Sequence, residues 1–206
     1  MMKDVMIDPI ERAIEAFQRG EMVVLLDAPD REGEADLILP GQYATGEKLN
    51  TIASIARGLI TMGVSQQRLQ ELQIPLIEPV NCKENYPRFT EPVDYTIGTT
   101  TGASAFDLAA TAKAVTDPDA RPEQFARPGH LLLLAEHPDG LQSRAGHTEG
   151  SVGLARAARL FPAAVICEMF APDGTMATGN SLKYIVNENK FPVATVQQVK
   201  DILKSH

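Results

Sequence analysis

Ile10, Ile14 and Phe17 recur at helical spacing and share one face, with polar residues between them. Asp8 is placed to cap this helix, Pro9 suits its first turn, Glu11 completes a capping box and Gly20 ends it. Met22–Leu26 is an uninterrupted apolar run, the pattern of a strand covered on both sides. A polar stretch from Asp27 to Asp36 separates it from a second short strand, Leu37–Leu39. Leu49, Ile52, Ala53 and Ala56 then predict a helix, Leu59–Val64 a strand and Ser65–Leu72 a short helix. Four prolines between Pro75 and Pro92 leave no clear period there, so the stretch reads as irregular. Ser104 with Asp107 is a second capping-box candidate, opening a helix that runs through Val115. Leu131–Glu136 reads as a buried strand and Pro138–Gly140 as a turn. A helix starting near Thr148 carries Val152, Ala155 and Leu160 on its buried stripe. Ala163–Phe170 is a strand closed by a turn at Pro172–Gly174. The tail reads helix (Ser181–Asn189), strand (Val193–Val196), helix (Val199–Lys204).

Strands and helices alternate irregularly, and several neighbouring strands are joined by short turns. This predicts an α+β fold, a mixed sheet with helices on both faces. With 206 residues and no repeat, linker or low-complexity tract, residues 1–206 read as one domain. A hydrophobic share of 44% against 22% charged is enough for a sizeable core. The formal charge of -8 argues against nucleic acid, whose phosphates call for a basic face. It also means that an anionic ligand must find its positive charge locally, on a metal or on a few placed arginines. Cys82 and Cys167 lie far apart and form no CxxC pair, which fits a reducing cytosol better than a disulfide framework. Met1–Pro9 has no apolar signal core, and runs such as Leu131–Ala135 are too short for a bilayer. The expectation is a cytoplasmic protein with no membrane segment.

Four segments carry candidate chemistry. Asp30-Arg31-Glu32-Gly33-Glu34-Ala35-Asp36 packs four carboxylates and an arginine behind a buried strand. Its ordinary reading is a solvated loop. Its functional reading is hard oxygen ligands for Mg²⁺ or Mn²⁺ and a planar guanidinium for an anion or hydroxyl, set on a rigid strand end. Arg127-Pro128-Gly129-His130 is either a plain turn with a surface histidine or a fixed backbone that holds His130 as acid or base. In Arg144-Ala145-Gly146-His147-Thr148-Glu149, Thr148 serves as a mere N-cap or as part of an anion site. In the second case the helix N–H groups, the Thr148 hydroxyl and Arg144 hold a phosphate, with His147 as a metal ligand beside it. Glu168, after the apolar run Ala163–Cys167, is expected to be partly buried, either as a proton shuttle or paired with an arginine. Cys167 reads as a packed core thiol. Glu136-His137 reads as surface.

In this order the segments resemble 3,4-dihydroxy-2-butanone 4-phosphate synthase, the family that supplies the four-carbon unit of riboflavin. Thr100-Thr101-Gly102-Ala103-Ser104-Ala105-x-Asp107, Pro162–Glu168 and Asp173-Gly174-Thr175-Met176 extend the likeness from about Asp8 to the C-terminal helix. The resemblance implies a three-layer α/β/α fold around a mixed sheet, and a homodimer whose sites are each shared between subunits. It implies a Mg²⁺ (or Mn²⁺) cofactor held by Glu32 and His147. Arg31, Glu32, Asp36, Arg144, Ala145, Gly146, His147, Thr148 and Glu168 would bind a sugar phosphate, its 5-phosphate nearest the Arg144–Thr148 segment. His130 and Glu168 would carry essential proton transfers. The implied reaction converts D-ribulose 5-phosphate to L-3,4-dihydroxybutan-2-one 4-phosphate and formate.

The chain departs from the family pattern around the substrate. Ala28-Pro29 replaces an acidic pair, and Gly33 and Ala35 replace Asn and Gly inside the acidic loop. Leu108 replaces a cation, Thr61 a common cysteine and Gly153 a polar helix residue, while Asn81–Tyr95 barely follows the pattern. Two alternatives therefore stand beside the lyase. One is a diverged relative that enolises and dehydrates a sugar phosphate without formate loss. The other is a non-catalytic sugar-phosphate binder.

Overall fold

The computed structural model describes residues 5–27, 33–82 and 86–204. In chain order the elements are α1 (Ile10–Gln18), β1 (Val23–Leu26), β2 (Ala35–Pro40), α2 (Gly46–Ile55), β3 (Arg57–Val64) and α3 (Gln66–Glu71). They continue with β4 (Arg88–Phe89), β5 (Val93–Tyr95), α4 (Ala105–Val115), β6 (Phe125–Ala135) and α5 (His147–Ala157). The last four are β7 (Ala163–Met169), α6 (Gly179–Asn189), β8 (Val193–Thr195) and α7 (Val196–Lys204).

The strands form one mixed sheet in the order β4-β6-β3-β7-β2-β1-β8, with β5 paired to β6 off that path. β1 and β8 are parallel, as are β3 and β6, and the other pairs are antiparallel. Side chains of alternating strand positions leave opposite faces, and the core divides accordingly. Val24, Leu26, Leu37 and Val165 pack with Leu49 and Ile52 of α2, Ala109 and Ala112 of α4, and Leu182 of α6. Val23, Leu25, Ile38 and Ile166 pack with Phe17 of α1, Leu154 of α5 and Val199 of α7. These are the expected three layers. The apolar runs of β1 and β7 are continuous because both faces are covered.

Several local expectations are corrected. Asp8 does not cap α1: Pro9 occupies that position without a side-chain cap. The Asp8 carboxylate instead accepts from Val193 N–H at 2.9 Å, with a 2.5 Å ion pair to Arg12, and so ties the N-terminal segment to β8. Ser104 caps α4 by accepting from Asp107 N–H at 3.1 Å, but Asp107 turns its carboxylate to Thr100 and Gly102. β6 runs from Phe125, so Arg127-Pro128-Gly129-His130 is not a turn before a strand. It is a bulge inside one: Val93 faces Leu131 while the next residue, Asp94, faces Ala126. The proline-rich stretch is not wholly irregular, since it contains β4 and a bridge between Leu76 and Thr90. Glu136 is buried rather than on the surface, held by Arg156. Among the described residues no helix is long and apolar enough to cross a membrane.

Candidate active site

Asp36 and Glu168 are cross-strand neighbours in the β2–β7 ladder. By alternation they share the sheet face of Ile38 and Ile166, the face that α5 covers. Thr61 of β3 stands opposite Ile166 on the other side of β7, and its hydroxyl donates to the Ile166 carbonyl at 3.4 Å. The start of α5 lies directly on this end of the sheet because position 63 is glycine. A Cβ there would come within 2.9 Å of Ser151 Oγ and 3.2 Å of the Thr148 carbonyl oxygen. Gly146 is the N-cap of α5, so His147 and Thr148 form its first turn. Asp36, Thr61, Arg144, His147, Thr148 and Glu168 thereby line one cavity of about 120 Å³, with Glu34 also in its wall.

Arg144 is positioned by Glu149, which the sequence places in the same segment but to which it assigns no role. Its Nη1 donates to Glu149 Oε2 at 2.6 Å, and Glu149 Oε1 accepts from His137 N–H at 3.0 Å. Glu149 is almost wholly buried, so one carboxylate holds both the arginine and the turn before it. On the opposite wall, burial pushes the Asp36 carboxyl up to about 6. His147 opposes that shift, while Glu168, Glu34 and Asp27 add to it. His147 Nδ1 lies 3.6 Å from Asp36 Oδ1. Glu168 is exposed, not partly buried as expected, and sits opposite a bulge in β3 between Arg57 and Ile60. Cys167 beside it is a packed core thiol, which burial pushes up to about 12.

A divalent cation fits this donor set. His147 Nε2 is buried without a hydrogen-bond partner among the described residues, as is Asp36 Oδ1. An imidazole nitrogen beside carboxylates suits a hard or borderline metal. No three His, Cys, Asp or Glu side chains among the described residues are grouped to hold one. Mg²⁺ takes one or two protein ligands and completes its shell with water and substrate oxygens. Arg31 and Glu32, the latter expected as a ligand, lie outside the described residues, as does Ala28-Pro29.

Asp36, Arg144, His147, Thr148 and Glu168 are thus brought together, and Ala145 and Gly146 lead into α5. His130 is not in this wall. It lies on β6 two residues before Leu132, the strand partner of the wall residue Thr61. Thr61 and Glu34 were visible only as a departure from the pattern and as one acid among four. What marks them is strand register, which places Thr61 across from Ile166 and Glu34 two positions before Asp36.

A sequence profile of the family 3,4-dihydroxy-2-butanone 4-phosphate synthase matches residues 11–202. The chain belongs to this family of enzymes. It is 42% identical over 198 residues to the 3,4-dihydroxy-2-butanone 4-phosphate synthase of Agrobacterium fabrum, an alignment covering 96% of this chain and 93% of that one. It is 41% identical to the riboflavin biosynthesis protein RibBA of Aquifex aeolicus, covering 91% of this chain but only 47% of the relative, about half its length. A crystal structure of a 3,4-dihydroxy-2-butanone 4-phosphate synthase in complex with two magnesium ions superposes with a TM-score of 0.90 at 32% identity. That match covers 96% of this chain and 97% of the other. The three-layer fold and mixed sheet are therefore those of the synthase family.

Proposed function

We propose that this chain converts D-ribulose 5-phosphate to L-3,4-dihydroxybutan-2-one 4-phosphate and formate for riboflavin synthesis, as a cytoplasmic homodimer of one-domain subunits. The observation that carries the reading is the single cavity in which Asp36, Glu168 and His147 face Arg144 and the first turn of α5. In this acidic protein the donors that a phosphate needs are gathered on one wall of that cavity. Arg144, the Thr148 hydroxyl and the N–H groups at the start of α5 take the 5-phosphate, the helix dipole adding to the attraction. Ala145 and Gly146 place those groups, and Arg31 adds a guanidinium from the acidic loop. Glu32 and His147 would hold Mg²⁺ or Mn²⁺, which when bound polarises substrate oxygens and acidifies the adjoining C–H bonds. The magnesium-bound synthase structure supports the use of a divalent metal.

The reaction requires enolisation next to the ketone, loss of the C1 hydroxyl, a skeletal shift and release of C4 as formate. The two products account for every atom of the substrate, so no oxidant, reductant or added water is consumed. Glu168 stands in the cavity wall to move protons on and off the carbon chain. Asp36, with a carboxyl near 6, can donate to or accept from a substrate hydroxyl at neutral pH. His130 is the second proton carrier. Because it does not line the cavity of its own chain, we assign it to the site of a partner copy, as the family resemblance implies.

The test is incubation of the full chain with C4-labelled ribulose 5-phosphate and Mg²⁺, followed by carbon NMR. Labelled formate appearing with the four-carbon phosphate, stopped by EDTA and restored by Mg²⁺, is the expected result. A dehydrated five-carbon product without formate would replace this reading with the diverged relative. Binding without turnover would replace it with the sugar-phosphate binder.

A further inference from the structure

We propose that Asp94 is the positioning residue of His130, fixing the direction of its ring and the nitrogen that carries the hydrogen. The proposal rests on the reading of His130 as a proton carrier and goes beyond it. The His130 main chain is pinned on the β6 bulge by two bonds to the β5 side. Gly129 N–H donates to the Pro92 carbonyl at 2.7 Å, and His130 N–H donates to Asp94 Oδ1 at 2.8 Å. The ring is held by the other oxygen of the same carboxylate, with Nδ1 2.7 Å from Asp94 Oδ2. One side chain therefore fixes both the backbone and the imidazole. An ionised carboxylate only accepts. Nδ1 must then carry the hydrogen, and Nε2 becomes the basic nitrogen of the neutral ring. The His130 side chain is 50% exposed and that of Asp94 15%, so the ring is offered outward from a sheltered anchor. This is the arrangement a general base requires: a ring free on one nitrogen and oriented through the other by a third group.

The surroundings are shaped to this pair. Gly102 has φ +88, and a Cβ there would lie 2.0 Å from Asp94 Oδ2 and 2.6 Å from His130 Nδ1. A Cβ at position 129 would lie 2.3 Å from the Val93 carbonyl carbon and 2.4 Å from Asp94 N. Any side chain at either position would displace the carboxylate from the ring. The loop bearing Gly102 is anchored in turn by Asp107, which accepts from Thr100 N–H at 2.9 Å, Thr100 Oγ1 at 2.7 Å and Gly102 N–H at 3.2 Å. Three separate segments converge to present one imidazole.

The test compares Asp94→Asn, His130→Ala and the double variant in the full-length, Mg²⁺-loaded protein. Asp94→Asn should lower kcat on ribulose 5-phosphate by about 10²-fold and leave KM within about twofold. The double variant should be no slower than His130→Ala alone, because both changes remove one function. Nitrogen NMR of ¹⁵N-histidine-labelled protein, with the His130 signals assigned by their loss in His130→Ala, should show hydrogen on Nδ1. Asp94→Asn should shift that hydrogen toward Nε2, a change that a merely structural carboxylate would not produce. If Asp94→Asn does not fold, Gly102→Ala carries the same expectation, since its methyl enters between Oδ2 and Nδ1. An inactive His130→Ala beside an Asp94→Asn with wild-type kcat and tautomer would overturn the positioning role alone. A fully active His130→Ala would overturn the reading of His130 and this proposal with it.

Discussion

Asp36 is buried among three other carboxylates with a single imidazole to offset them, and its raised carboxyl has a consequence for stability. A carboxyl at about 6 in the folded chain, against an ordinary 3.8, holds its proton more tightly when folded than when unfolded. Above pH 6 the buried charge therefore costs stability, on the order of 3 kcal/mol. As pH falls through 6 toward 3.8 the folded state takes up the proton first, and the penalty is relieved. Metal-free protein in EDTA should thus gain stability relative to Asp36→Asn on going from pH 7.5 to 5. Urea midpoints measured across that range check it, and a constant difference between the two proteins would refute it. At this scale the site was readable in part. Asp36, Arg144, His147, Thr148 and Glu168 were legible because each belongs to a short run of unusual density or position. Glu149 and Asp94 were not, because their work is defined by partners that only the fold supplies: His137 and Arg144 for one, a histidine on another strand for the other. Asp8 was misread for the same reason, its cap geometry yielding to β8.

Among the elements, those with long apolar periods were legible and those made by pairing were not. β1, β3 and β7 could be read from their apolar runs, α1 and α5 from their apolar stripes, and α4 from its Ser104 cap. β5, with three residues, exists because it lies along β6, and nothing in Val93-Asp94-Tyr95 alone announces it. β6 was shortened in the reading because Pro128-Gly129 ordinarily ends a strand. Within a sheet proline is tolerated at a bulge, and a bulge is what forms there. The placement of α5 on β3 depends on Gly63, so Gly63→Val is the element-scale test. Its Cβ would press on Ser151 Oγ and on the Thr148 carbonyl, with two further methyls to place. Overpacking of this kind should cost about 2 kcal/mol. More tellingly, it should displace the first turn of α5 from the cavity. KM for the sugar phosphate should rise several-fold at temperatures where the variant is fully folded. An unchanged KM in a destabilised variant would mean that the turn does not hold the phosphate.

For the whole molecule the question is how the two proposed proton carriers, on different parts of the sheet, would serve one substrate. Glu168 lines the cavity and His130 does not, being bound to Asp94 on the β6 bulge. Leu59, another wall residue, is 54% exposed, an apolar side chain at the mouth of a polar site. Both facts are met if a second copy closes over the mouth and inserts its own His130. A two-fold dimer makes the exchange reciprocal. The arrangement can be tested by complementation. His130→Ala and Glu168→Gln, each inactive alone, are co-expressed with different tags, and the heterodimer is isolated through both. In a shared-site dimer one of its two sites combines an intact Glu168 from the first chain with an intact His130 from the second. The other site carries both lesions. The heterodimer should then turn over at about half the wild-type rate per dimer. If each site were built from one chain, every site would carry one lesion. The heterodimer would be as inactive as its parents, and His130 would have to reach the cavity of its own subunit by some rearrangement of β6.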